Sequence, residues 1–414
     1  MGDRRRRPVP FVVIGNPGTR RIDLFQSALR RLGLPPARVV SYADLIAGRD
    51  ARERQALPGA VRPGAVVRIE SPDQDFGVER AILALGADAA GEDGCDSLPR
   101  AVVERLPFEP GRMLSSRQWY LGLCEALRLI ERQLADCPDH QLMNHPADVA
   151  VMFDKRRCHE RLLRCGVPVP QSLGPVGSYD ELVERMRRAG CYRVFVKPAH
   201  GSSACGVVAY QTNGREHHAT TTVEMERRGK ELCLFTSRRL RVYRDVREIA
   251  ELVDALCRQR VHVERWLPKA GIDDRTFDLR VVVIAGQAKH VVVRSSRGPL
   301  TNLHLGNARA SAERVRAKMG EAAWDAACRT CERALACFAG SLYAGIDLLI
   351  SPGFRRHAIL EVNAFGDLLL DTYCDGLDTY TAEVLALLAG GRGAEPADGA
   401  ELALEGAGWS TRVG

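Results

Sequence analysis

The chain has no apolar run approaching the roughly 18 residues that a membrane-spanning helix requires, and its mean hydropathy is −0.17. It has no collagen period, no heptad array and no repeat at the periods solenoids use. Aromatic residues make up only 6%, and no basic stripe with interleaved aromatics occurs. A nucleic-acid partner therefore does not follow from the net charge of +7. Much of that charge is local, because Arg4 to Arg7 against Asp3 supply three of the seven positives. The apolar stretch that follows, Phe11 to Ile14, is too short for an export-signal core. Arg6 stands where a myristoylation pattern requires Ser or Thr. No membrane partner is expected, and the expected compartment is the cytoplasm.

A disulfide framework is also missing, since the 13 cysteines are scattered and odd in number. The one C-x-x-C, Cys328–Cys331, has no second pair to complete a structural zinc site. Buried or half-buried free thiols are the expected state. Lysine is scarce: of 59 basic residues, all but Lys155, Lys197, Lys230, Lys269, Lys289 and Lys318 are arginine. A compact ammonium suits a phosphate oxygen as a point charge, where Arg offers a planar fork. Lys155 and Lys197 lie in the segments that look most like a nucleotide site.

What is present is an ordinary globular composition. The 414 residues are 45% apolar and 27% charged, enough for a sizeable core and two or three domains. Pro10 to Gly15, Asp23 to Leu32 and Arg38 to Tyr42 read as strand, helix and strand, followed by a strand at Gly64 to Glu70. That rhythm argues for a small parallel α/β unit. Trp119, Leu123, Leu127, Ile130 and Leu134 share one helical face, with Ser115 or Ser116 as N-cap. Helices are then predicted over Asp154 to Cys165, Ser178 to Ala189 and Val246 to Arg260, and one long helix from Ala310 to Gly340. Strands are predicted at Arg193 to Lys197, Gly206 to Tyr210, Val261 to Trp266, Gly345 to Ile350 and His357 to Asn363. A hairpin turns at Ala285-Gly286. Residues 214–230 read as a polar, turn-rich excursion, and the Ala/Gly/Glu-rich end from 391 to 414 as a disordered tail.

Four constellations carry chemistry. In GIDLLI and ILEVN, strand alternation puts Glu361 and Asn363 on one face, and a hairpin through 351–356 lets Asp347 lie beside them. Two carboxylates and an amide oxygen are hard ligands suited to Mg²⁺, although a solvent-facing strand looks the same. In VFVKPAHGSSACGVV, Lys197 ends a strand before the small-residue loop Gly201-Ser202-Ser203-Ala204-Cys205-Gly206. Such a loop lets backbone N–H groups approach phosphate; it is not a Walker A loop. The stretch Glu264-Arg265-Trp266-Leu267 reads as an extended segment with a free backbone edge that suits an adenine. Asp278 and Arg280 share a strand face that Arg294 can join as a clamp on a phosphoryl group.

The order of these features resembles the ATP-grasp superfamily over roughly residues 140–385. The likeness is greatest to the branch of glutathione synthetase and the ribosomal-protein glutamate ligases, and ERWL is similar to the segment of D-alanine–D-alanine ligases. The resemblance implies an α/β fold of α+β lobes behind an N-terminal Rossmann-like domain. Its divisions are 1–140, a central lobe at 141–260, a C-terminal lobe at 261–390 and the tail. It implies ATP and Mg²⁺ (or Mn²⁺) as cofactors. Lys155, Lys197 and Gly201, Ser202, Ser203, Ala204 and Gly206 would take the phosphates. Glu264, Arg265, Trp266 and Leu267 would hold adenine, and Asp278 the ribose. Asp347, Glu361 and Asn363 would take the metal, with Arg280, Arg294 and Asn302 at the transferred phosphate. Leu300 stands where the glutamate ligases carry Arg, and Lys269 has no assignment. The implied activity joins a small-molecule or peptide carboxylate to an amine through an acyl phosphate, giving ADP and phosphate. Phosphorylation of a hydroxyl and nucleotide binding without turnover are the alternatives. His304, His200 and Glu231 are unranked candidates for the base, and 198–206 with 211–230 for a lid. Arg112, Arg117 and Trp119 are candidate substrate contacts.

Overall fold

Fifteen strands fall into three sheets in the computed structural model, which describes residues 9–48, 55–202, 204–366 and 369–391. The N-terminal arginine run, Ser203 and, from 392 on, the expected tail lie outside the described residues. The chain is a mixed α/β protein.

The first sheet contains β1 (Phe11–Ile14), β2 (Arg38–Val40), β3 (Ala65–Ile69) and β4 (His140–Leu142). It is parallel throughout, in the order β2-β1-β3-β4. β1 and β3 are buried along their whole length, as parallel strands covered on both faces must be. The helix Ser116–Ala135 packs against this unit and starts at Ser115, whose side chain accepts from the Gln118 N–H.

The second sheet is antiparallel: β5 (Arg193–Pro198), β6 (Val208–Thr212), β7 (His217–Arg228), β8 (Glu231–Tyr243) and β9 (Val261–Arg265), ordered β8-β7-β6-β5-β9. Here the polar excursion expected at 214–230 is corrected. Residues 217–228 form a strand paired with β8 nearly from end to end. The β-branched Thr220–Thr222 and the inward alternation of Val223 and Met225 favour a pleated strand.

The third sheet contains β10 (Gly271–Ile272), β11 (Arg275–Ile284), β12 (Gln287–Ser296), β13 (Ala308–Ala310), β14 (Tyr343–Ile350) and β15 (His357–Asn363). Its path is β13-β12-β11-β14-β15, with β10 on β11. Ala285 and Gly286 both have positive φ, 48° and 76°, the geometry a two-residue hairpin needs. The single helix expected from Ala310 to Gly340 is two helices, Ala312–Met319 and Glu321–Ala336. Gly320 breaks them at φ 80° and ψ 150°, a conformation outside the helical region.

One buried charge ties the first sheet to the last elements of the chain. Arg68 on β3 is 1% exposed. It donates to Glu70 at 2.6 Å and to Glu383, on the helix Thr379–Leu388, at 2.5 Å. Its guanidinium lies 4.7–4.9 Å from the ring centroids of Phe25, Tyr343 and Tyr380. Burial raises the Glu383 carboxyl to about 7 even with Arg68 beside it. Removing the cation leaves two carboxylates in a dry site. Arg68→Met is therefore expected to lower the unfolding free energy by roughly 3–5 kcal/mol, read from urea denaturation midpoints. A loss under 1 kcal/mol would refute the role given to Arg68.

Candidate active site

The second and third sheets face each other across a cleft of about 770 Å³. Its floor comes from the centre of the third sheet. β14 and β15 pair so that Asp347 lies opposite Glu361 and Gly345 opposite Asn363, so the three polar side chains share the face predicted from alternation. β11 runs on the other side of β14 with Arg280 opposite Asp347, and β12 places Arg294 opposite Asp278. The helix Lys155–Arg164 brings Lys155 to the mouth. Its N-cap Asp154 accepts from the Arg156 and Arg157 N–H groups.

Charges of opposite sign are paired across the cleft wall. Lys155 Nζ is 2.9 Å from Glu361 and donates to the Gly201 carbonyl at 2.5 Å. Lys197 Nζ is 2.5 Å from Glu264, which His262 Nε2 also approaches at 3.3 Å. Asp347 is held by Arg280 and, at 3.1 Å, by Arg294. Asp278 accepts from Arg294 and Lys269, both at 2.8 Å, and from the Thr301 hydroxyl. Burial alone would raise the carboxyls of Glu264, Asp278 and Glu361. The adjacent cations outweigh it and hold all three below their ordinary values, Glu264 at about 2. Lys197 shows the converse: burial lowers its ammonium, but Glu264 and then Glu361 and Asp347 hold it raised.

The glycine loop is anchored to the same helix. The Lys155 N–H donates to the Ala199 carbonyl at 2.9 Å, and His200 sits 3.1 Å from Asp154 and 3.3 Å from Arg117, stacked on Tyr120. Thr221 and Thr222 of β7 donate to the Val207 and Ala204 carbonyls at 2.8 and 3.0 Å. Gly206 has φ 74°, and a Cβ there would come 2.5 Å from Pro198 Cγ.

Of the residues predicted from sequence, Lys155, Lys197, Gly201, Ser202, Ala204, Glu264, Arg265, Leu267, Asp278, Arg294, Asn302, Asp347 and Glu361 line this cleft. Arg280 and Asn363 line a larger cavity of about 2200 Å³ that adjoins it and shares Lys155, Arg294, Asn302 and Glu361 with it. Trp266 and Gly206 line neither. The Trp266 ring packs on Phe195, 5.2 Å between centroids, under the Arg193 guanidinium. The edge expected to be free at Arg265 and Trp266 is in use, because their N–H groups donate to the Gln171 and Arg193 carbonyls at 2.8 and 3.0 Å.

Lys269 and Thr301 were missed; the scarcity of lysine was the one available signal for the first. Of the candidate bases, His200 and His304 line the larger cavity, whereas Glu231 is exposed and paired with Arg112 at 2.8 Å. Trp119 and Arg112 also line that cavity, while Arg117 turns to Asp93 at 2.8 Å. Among the described residues no group of three His, Cys, Asp or Glu is placed to hold a metal ion. Asp347, Glu361 and Asn363 fit a hard cation only as a mixed carboxylate and amide set. The Asn363 Nδ2 donates to the Gly345 carbonyl at 3.0 Å, which turns the amide oxygen away from that strand.

No protein-family model matches the chain, and no curated protein matches it. Among solved structures, it is similar to the ATP-grasp ligase PsnB complexed with a minimal precursor, at 16% identity and a TM-score of 0.48. That match covers 92% of this chain and 99% of the other. It is also similar to the macrocyclase MdnC bound with precursor peptide MdnA from Microcystis aeruginosa MRC, at 13% identity and 0.49, covering 92% and 100%. The D-cycloserine synthetase DcsG gives 15% and 0.49, covering 92% and 99%.

The Glu264 carboxyl lies near 2 in the folded chain against 4.5 for the free group. The folded state therefore holds this proton less tightly than the unfolded state. The stability it contributes is complete above pH 4.5 and is lost as pH falls from there toward 2. At 1.36 kcal/mol per unit this amounts to about 3 kcal/mol. Urea midpoints of wild type and Glu264→Gln at pH 7 and pH 3 should converge on acidification, with the variant the flatter. Parallel curves would refute the Lys197–Glu264 assignment.

Proposed function

We propose that the chain is an ATP-dependent carboxylate–amine ligase of ATP-grasp fold. The observation that carries this reading is the meeting of Lys155, Lys197, Asp347 and Glu361 in one cleft, although they come from three separate stretches of chain. In this reading residues 1–140 are the Rossmann-like domain that precedes the ATP-grasp core, with a central lobe at 141–260 and a C-terminal lobe at 261–390. ATP passes its terminal phosphoryl group to a carboxylate. An amine then attacks the acyl phosphate, and ADP, phosphate and an amide are released.

Lys155 and Lys197, neutralised here by Glu361 and Glu264, are the point charges for phosphate oxygens. Gly201, Ser202 and Ala204 line the same cleft, and in this reading the small-residue loop offers backbone N–H groups to those oxygens. Arg280 and Arg294, gathered on Asp347, lie where charge develops on the transferring group, with Asn302 beside them. Such electrostatic positioning supplies most of the rate in phosphoryl transfer. The Asp278 carboxylate is committed to Lys269, Arg294 and Thr301, so its part is to fix those cations. Glu264, Arg265 and Leu267 border the part of the cleft that this reading gives to adenine. Asp347, Glu361 and Asn363 would hold Mg²⁺ or Mn²⁺, which offsets phosphate charge when bound. The protein's own contribution is a pre-set, largely buried array that needs little reorganisation as charge moves.

Calorimetric titration with Mg–ATP tests the first half of the reading. Lys197→Met should raise the dissociation constant roughly 10- to 100-fold, the worth of one hydrogen bond to a charged group. Asp347→Asn and Glu361→Gln should cut turnover by roughly 10²–10³-fold with an unchanged far-ultraviolet spectrum. The second half rests on products from pooled carboxylic acids and amines. ADP, phosphate and an amide are expected; a stable phosphoester would make the enzyme a kinase. Absence of nucleotide binding by the wild type would end the reading.

A further inference from the structure

The larger cavity combines charged and aromatic lining. Arg280 and Arg294 are among its charged residues. Trp119, Phe153 and Phe365 form an aromatic row on its wall, with ring centroids 6.0 Å and 5.4 Å apart along the row. The three rings come from different elements: the helix Ser116–Ala135, the last residue of the helix Pro146–Phe153, and the turn after β15. Phe365 follows Asn363 by two residues, and its carbonyl accepts from Arg21 at 3.0 Å. The wall therefore begins beside the candidate metal and phosphoryl residues.

Trp119 and Phe153 remain half-buried while facing a cavity. Aromatic surface left open inside a concave site has free energy to gain from an apolar ligand, and a few charged groups at one end fix that ligand's orientation. A polyphosphate or a metal ion makes no use of such a wall.

We propose that this cavity takes a carboxylic acid carrying an aromatic or large aliphatic group. Its carboxylate meets Arg280 and Arg294, and its apolar body lies on Trp119, Phe153 and Phe365. This rests on the ligase reading for what then happens to the carboxylate. The aromatic wall supplies the selectivity, and the arginines supply the direction in which the acid enters.

The test titrates the full chain by calorimetry, with and without saturating Mg–AMPPNP, using N-acetyl-L-phenylalanine, N-acetyl-L-leucine and N-acetylglycine. The first two are expected to bind at least 10-fold tighter than the third. Trp119→Ala should weaken N-acetyl-L-phenylalanine about 10-fold, and Trp119→Phe should recover most of the loss. Equal affinity for the three acids, no binding of N-acetyl-L-phenylalanine, or an unchanged Trp119→Ala would overturn the proposal. The ligase reading fails separately, through the Mg–AMPPNP titration of the wild type: acid binding without nucleotide binding would leave this cavity assigned and the ligase reading refuted.

Discussion

Burying charge at low dielectric is tolerable only when each charge has a partner, and this constraint organises the centre of the molecule. Five cations, Lys155, Lys197, Lys269, Arg280 and Arg294, share one region with four carboxylates, Glu264, Asp278, Asp347 and Glu361. Arg280, Asp347, Arg294, Asp278 and Lys269 form a continuous chain of contacts, for Arg294 bridges Asp278 and Asp347, and the pairs Lys155–Glu361 and Lys197–Glu264 line the same cleft. Lys155 joins three parts of the site: it starts its helix, pairs with Glu361 of the third sheet and donates to the Gly201 carbonyl of the glycine loop. Loss of one member strands its neighbours.

The folded backbone makes the network possible through local rules. Period-two alternation along β11, β14 and β15 aims Arg280, Asp347 and Glu361 at one face, while Ile346 and Leu348 between them are buried in the core. A one-residue slip of β14 would exchange those faces, so burial of the aliphatic side and pairing of the charged side enforce the same register. Asp154 joins helix and loop: it caps the helix that carries Lys155 and meets His200 of the glycine loop. Its carboxyl would rise on burial, but His200 and the helix N–H groups hold it well below the ordinary range.

Sequence patterns reveal the parts of this arrangement that are local. Strand alternation was enough to group Asp347 with Glu361 and Asn363, and the run ending at Lys197 before a small-residue loop was readable as a strand and turn. Lys269 was not, because its partners Asp278 and Thr301 lie 9 and 32 residues away along the chain and it sits between strands where no periodicity applies. The orientation of Trp266 was hidden for a related reason: beside a strand end, the facing side is decided by Phe195 and Arg193 on the neighbouring strand. The β7–β8 hairpin escaped notice because much of it is exposed and charged, with Arg227, Arg228 and Arg241 paired to acids. A polar strand near a sheet edge has the composition of a loop and is distinguished by its ladder alone.

Pairing of buried charge does not by itself mark a functional site, and the molecule contains its own control. Arg68 is paired with Glu70 and Glu383 and is more deeply buried than Lys155 and Glu361 of the cleft, and three aromatic rings close around its guanidinium. Nothing larger than those side chains can exchange partners with it, so its consequences are confined to stability. Lys155, Lys197, Arg294, Asp347 and Glu361 obey the same electrostatic rule on the wall of a cleft of about 770 Å³. There a polar ligand can take over a partner without first unfolding the core. Perturbed carboxyls occur in both places, and access to the open cleft, more than the size of any perturbation, separates the candidate site from the structural one.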